Sequence, residues 1–353
     1  MPSTILDTTL AELCSENGIT RNLIITTHCV PNHMDLHPEF PRELVYLDDE
    51  EPFPYNENVE SKEFKARARN IMLGLRPLRR AFCVGPMDVI LFTPNIKVDQ
   101  VEQHLDQLPP YQRYRPQTID LDKGDVFFNL RETIKDHTLV FWRPQSWMLG
   151  HDCLINPQVA YDINSKEFLI KAGMKTPPSI VVDLENIGDD SVFAKQPLPF
   201  VVKVLRGAGG FGNYLVTSED KRGIMLKALA RYKGRGVMKV ILSKYIRIKL
   251  DLSVHFFIGS PESFRNRDNP LILGITVQTL VEDHWVGGHI DYREQKELQN
   301  LVWDTLVHTT QRLPEDFAGW AGIDIVIDED GDESKVVEEI FEEILEETEE
   351  VIE

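Results

Sequence analysis

Residues 200–217 read FVVKVLRGAGGFGNYLVT. The run FVVKVL is rich in β-branched residues and has the composition of a strand, and NYLVT reads as a second one. Between them, Gly207, Gly209 and Gly212 match the spacing G-x-G-x-x-G. That spacing marks a dinucleotide turn only when a helix opens at the last glycine and an acid follows roughly 20 residues on. Here a strand follows, so the dinucleotide reading fails. What remains is a glycine loop joining two antiparallel strands, with Lys203 on the first. Glycine lets backbone N–H groups approach an anion closely, and lysine adds a point charge. A plain glycine-rich hairpin is the alternative.

Working outward, Ser165 to Ala172 reads as a helix stopped by Gly173, with Pro177 and Pro178 beyond it. After the hairpin, residues 219–232 read as a helix closed by Gly234, and residues 237–242, 251–258 and 271–281 as strands. A helix over 295–311 and an apolar strand over 322–327, ending in DEDGD, complete this part. Upstream, short helices are expected at 8–14, 61–72 and 98–108, and strands at 22–27, 81–84, 88–93 and 137–141. The Pro-rich stretch 34–58 reads as a long surface loop. Strand and helix alternation of this kind suggests a parallel layer with crossover helices.

The formal net charge is −19, but residues 328–353 hold fourteen acids and one base, so −6 belongs to the rest. An acidic chain without a basic block is a poor partner for nucleic acid or an anionic membrane. There is no apolar run of about 18 residues, so no spanning helix is expected, and no secretory signal is visible. Cys14, Cys29, Cys83 and Cys153 lie far apart without metal or disulfide spacing, which suits reduced thiols and a cytoplasmic location. His28, Cys29, His33 and His37 crowd a proline-bent segment that fits no standard zinc pattern and reads as a solvated loop.

The order of elements from residue 150 to 338 resembles the ATP-grasp superfamily, in particular carboxylate–amine ligases such as D-alanine–D-alanine ligase. It runs through a lysine helix, PFVVK, the glycine loop, VILSKYI, DLSVHFF and GWAGIDIVIDEDG. The resemblance implies an α/β and α+β protein. Residues 1–155 would form the N-terminal α/β domain that precedes the ATP-grasp fold, 156–242 the small subdomain with the glycine-loop lid, and 243–353 the C-terminal subdomain with an acidic helical tail.

By the same resemblance, Lys166 and Lys203 contact nucleotide phosphates, and Gly207, Gly209, Gly210 and Gly212 cover them. Tyr245 and Ile246 belong to the hinge that holds the adenine edge, where Ser243 and Lys244 replace an acid common in the family. Asp251 holds the ribose hydroxyls. Asp324 and Glu338 would be Mg²⁺ ligands, although Ile340 takes the position of the family's asparagine and no arginine follows. Arg293 stands where acceptor substrate approaches, as a candidate catalytic residue alongside Lys203; a surface ion pair is its other reading. The periodicity of Val337, Ile340, Phe341, Ile344 and Leu345 fits an amphipathic helix, which would turn Glu338 away from the metal.

The implied reaction is ATP-dependent joining of a small carboxylic acid to an amine through an acyl phosphate, with ATP and Mg²⁺ as cofactors and homo-oligomerisation left open. A degenerate ATP-grasp protein acting as an interaction module, and a small-molecule phosphotransferase, are the alternatives.

Overall fold

The computed structural model describes residues 6–26, 78, 81–93, 96–120, 123–141, 144, 148–185, 187, 191–206, 212–234, 237–281, 284–329 and 335–341, the last stretch by its backbone. The expected helix at 61–72, the Pro-rich loop, the His28–His37 cluster and Gly207, Gly209 and Gly210 lie outside these residues.

Among the described residues, three sheets follow one another along the chain. The first is parallel, in the order β3-β2-β1-β4, from β1 (Leu23–Thr26), β2 (Asp88–Thr93), β3 (Arg115–Asp120) and β4 (Thr138–Phe141). β1, β2 and β4 read as apolar runs because both of their faces are covered. Ile24, Ile90, Phe92, Leu139 and Phe141 enter one core cluster; Leu23, Ile25, Val89, Leu91 and Val140 enter another. The second cluster is covered by α1 (Leu10–Glu16) and α2 (Val98–Gln107), while α3 (Val126–Ile134) contributes to the first.

Residues 81–84, expected as a strand, form a buried turn instead. Gly85 follows in the left-handed region at φ +75°, and Pro86 comes next. The turn's Cys83 and Val84 carbonyls accept from Leu10 N–H at 2.9 Å and Ala11 N–H at 3.0 Å. They satisfy donors that the first turn of α1 cannot pair internally.

Two short helices, α4 (Pro157–Ile163) and α5 (Lys166–Lys171), lead into the second sheet. It is antiparallel in the order β5-β8-β6-β7, from β5 (Ser179–Asp183), β6 (Phe200–Val204), β7 (Asn213–Val216) and β8 (Lys239–Lys244). Phe200, Val202 and Val204 alternate onto one face and pack with Met225 and Leu229 of α7 (Glu219–Gly234). Arg222 of α7 is buried and donates to the carbonyls of Phe193, Ala194 and Gln196 and to the Glu219 carboxylate. It thereby fixes α6 (Val192–Lys195) against α7.

The third sheet is antiparallel, β11-β10-β9-β12-β13, from β9 (Ile248–Ile258), β10 (Leu271–Val281), β11 (His284–His289), β12 (Gly319–Asp328) and β13 (Lys335–Phe341). Leu252, Val254, Phe256, Ile275, Ile323 and Ile325 share a core with Leu298, Val302 and Leu306 of α8 (Gln295–Thr310). The same cluster takes in one of the first sheet's two apolar faces, and Phe257 and Trp320 join the cluster on the other.

The helical reading of the tail fails where the chain is described. Residues 335–341 pair with β12 from Ile327↔Lys335 to Gly322↔Phe341. The edge of β12 offers a ladder of hydrogen bonds to these residues, an advantage that helical periodicity in the sequence does not register. Residues 342–353 lie outside the described residues.

Arg222→Met should lower unfolding free energy by about 3 kcal/mol, because three carbonyls and a carboxylate lose a buried donor. Urea unfolding measures it; a loss below about 1 kcal/mol would contradict this role.

Candidate functional site

The third sheet divides its two faces by chemistry. Residues directly opposite across a pair share a face. On β9 and β12, Asp251 lies opposite Val326, Ser253 opposite Asp324, and His255 opposite Gly322. This face carries polar groups in its middle, between Val326 and the apolar pair Phe257 and Trp320, where its reverse is apolar core. Asp251 and Asp324 are diagonal neighbours across the β9–β12 pair. Asp251 is half-buried and three residues inside its strand, so its setting is a sheet face and not a solvated strand end.

Asp324 accepts from Gln278 Nε2 at 2.7 Å. The β12–β13 register is shifted beside it: Asp324 pairs with Glu339, whereas Ile325 pairs with Val337. Glu338, the expected second metal ligand, is the residue passed over at this irregularity, and Glu339 is in register with Asp324. Oxygen ligands of this kind suit Mg²⁺, which commonly uses one or two carboxylates together with substrate phosphates. Asp324 is a ligand of the type that ion takes. Among the described residues, no group of three or more His, Cys, Asp or Glu forms a metal site.

The second sheet brings cations to the glycine loop. Lys203 lies opposite Asn213 and Ile241, on the face turned away from the small apolar core. It is 8% exposed, and Lys166, the first residue of α5, is 5% exposed. Lys166 is not the solvated helix lysine that its position alone would suggest. Its N–H donates to the Leu205 carbonyl at 2.9 Å, which ties α5 to the end of β6, two residues beyond Lys203. α5 also packs against β13, so one helix touches both the glycine hairpin and the acidic strand pair.

Gly212 ends the loop at φ +76°, and a Cβ there would run into the Val204 side chain. Its carbonyl accepts from Val204 N–H at 3.1 Å. Only glycine meets both demands.

Sequence reasoning missed Arg206. It is 2% exposed at the root of the loop; Nε and Nη2 donate to the Tyr161 carbonyl at 3.1 and 2.6 Å, and the guanidinium lies 3.9 Å from the Tyr161 ring centroid. The signal was present only as an arginine directly before the glycines.

Tyr245 and Ile246, expected as hinge residues, are half-buried in the connection from β8 to β9. Glu329 N–H donates to the Arg247 carbonyl at 2.9 Å, fastening that connection to the end of β12. Ser243 is buried, with its hydroxyl 2.7 Å from that of Ser179. Ser179 donates to the Pro177 carbonyl at 2.6 Å, so Ser243 must be the donor of the pair. Arg293 lies after β11, 89% exposed, and holds Asp291 as a fork at 3.1 and 2.7 Å. That hydrogen bonding keeps the Asp291 carboxyl below its ordinary range. Among the described residues, the hydrogen bonds and ion pair given for Arg293 are to Asp291.

No protein-family model matches the sequence, and no curated protein matches it. Solved structures do. N5-carboxyaminoimidazole synthetase from Staphylococcus aureus, complexed with ADP, superposes with a TM-score of 0.53 at 15% identity, over 91% of this chain and 70% of that one. L-amino acid ligase from Bacillus licheniformis gives a TM-score of 0.50 at 13% identity, over 92% and 67%. Both are ATP-grasp ligases. The chain has the ATP-grasp fold. Within that fold, the hairpin with Lys203 belongs to the small antiparallel sheet and Asp324 to the large one. No helix among the described residues is long and apolar enough to cross a membrane.

His255, on the polar face, is 7% exposed, and burial pushes its imidazole down to about 4. The unfolded chain takes up this proton near pH 6.5 and the folded chain only near 4, so stability falls as pH drops through that window. The loss should approach about 3 kcal/mol. Urea unfolding at a series of pH values measures it, and His255→Gln should flatten this part of the profile.

Proposed function

We propose that the chain is an ATP-dependent ligase joining a small carboxylic acid to an amine. The observation that carries this reading is the placement of α5. It presents Lys166 beside the end of β6, near the strand that bears Lys203, and packs on β13, the partner of the strand bearing Asp324. Cations for a polyphosphate and a carboxylate for its counter-ion are thus carried by directly connected elements. Charge-assisted hydrogen bonds to phosphate are roughly twice as strong as neutral ones.

In this reading Lys166, Lys203 and Gly212 hold the phosphates, with Gly207, Gly209 and Gly210 of the same loop. Tyr245 and Ile246 lie along the base, and Asp251 takes the ribose hydroxyls. Asp324 holds Mg²⁺ with a carboxylate of β13, Glu338 or Glu339. When bound, Mg²⁺ supplies charge neutralisation at the phosphates. The substrate carboxylate attacks the γ-phosphoryl group to give an acyl phosphate and ADP. The amine then attacks the acyl carbon, expelling phosphate and losing a proton. Lys203 would stabilise charge on the transferring group, and Arg293 would meet the substrate carboxylate after exchanging its Asp291 partner. The protein's part is chiefly positioning and electrostatic stabilisation.

A degenerate, non-catalytic ATP-grasp protein is the second reading. Ile340 in place of an amide and the passing over of Glu338 at the register shift favour it.

Mg²⁺–ATP at 100 times its dissociation constant should stabilise the chain by roughly 2.7 kcal/mol. Lys203→Met and Asp324→Asn should each remove most of that gain in a thermal-shift titration. ADP and phosphate release should require both an acid and an amine. Stabilisation without turnover over a panel of such pairs would favour the degenerate protein, and stable phosphate transfer to one substrate a kinase.

A further inference from the structure

Gln278 has no role in the assignments above. It lies on β10, and its hydrogen-bond partner Asp324 lies on β12; β9 runs between these two strands. Strands flanking a common neighbour are roughly 10 Å apart. The side chain therefore crosses the middle strand to reach the carboxylate. Ser253, the β9 residue in register with both Thr276 and Asp324, is small enough to let it pass. An ionised carboxylate only accepts hydrogen bonds, so the NH₂ of the amide must be the group facing Asp324. The amide's orientation is thus dictated by chemistry.

We infer that Gln278 is a positioning residue for a divalent-cation site at Asp324, acting by holding Oδ1 from across β9. The inference rests on the nucleotide-and-cation reading of this face given above. An aspartate on a strand can rotate about its side-chain torsions, and a fixed donor on one oxygen selects one orientation. Partners that orient a metal-ligating carboxylate commonly contribute 10- to 100-fold to metal affinity. Sheet-borne donors are well suited to this, since the backbone ladder fixes both ends of the contact.

The test uses the full chain, Mn²⁺ as a paramagnetic probe and a non-hydrolysable ATP analogue. Gln278→Met keeps the length of the side chain and removes the donor; Gln278→Asn keeps the amide and is one methylene too short to cross β9. Both should weaken Mn²⁺ binding 10- to 100-fold, read by electron paramagnetic resonance, and alter the spectrum of the bound ion. Affinity for the analogue in the presence of a chelator should stay within about twofold, whereas a purely structural role would lower it together with the melting temperature. If one variant fails to fold, the other decides. Wild-type-like Mn²⁺ affinity in a folded variant overturns the inference and leaves the ligase reading standing. Failure of the unmodified chain to bind Mn²⁺ with the analogue overturns both.

Discussion

The pairing of β9 with β12 is the constraint on which the site depends. From Gly319 opposite Ile258 to Ile325 opposite Leu252 and on to Asp328, the two strands stay together along the length of β12. Leu252, Val254, Phe256, Ile323 and Ile325 then fall on the face that meets α8 and the parallel sheet, and Asp251, Ser253 and Asp324 on the other. A slip of one residue would exchange the two sets. It would place carboxylates in an apolar core, where an unpaired ion is far costlier than a lost contact. The core therefore enforces the position of the acids, and local flexibility in Asp324 is left to its hydrogen-bond partner.

The small sheet is built by the same alternation with a different load. Phe200, Val202 and Val204 secure it to α7, which leaves Lys203 on the reverse. Among the described residues, links between this unit and the large sheet include Lys166 N–H on the Leu205 carbonyl together with α5 on β13, and the Arg247 carbonyl on Glu329 N–H. Each uses backbone groups or helix packing, so the relative placement of the lysines and the acids tolerates changes in many surface side chains.

Much of this was legible because a buried strand writes its burial into the sequence, as alternation where one face is apolar and as a continuous run where both are. The runs at 88–93, 200–204 and 271–281 were readable in this way, and Gly212 was readable from its loop. Two of the edge strands, β3 and β5, were not, whereas β4 and β7, also at edges, were. β3 contains Arg115 and Pro116 and is largely exposed, which an edge permits and a central strand does not. β5 likewise lies at an edge. Residues 81–84 misled for the opposite reason, since a buried turn and a buried strand have the same composition.

The sequence by itself determined the class of the fold, the glycine hairpin with Lys203 and the acid embedded in GIDIVID, because each is a local pattern of apolar spacing and backbone freedom. The tertiary structure alone decided which groups meet. Gln278 is 46 residues from Asp324 and on a non-adjacent strand, and Arg206 is 45 residues from Tyr161. Likewise, Glu339 and not Glu338 is in register with Asp324, through a shift in a ladder that no local pattern marks. Strand order and register are settled by the burial of whole faces, so contacts across them are written in no single stretch of chain.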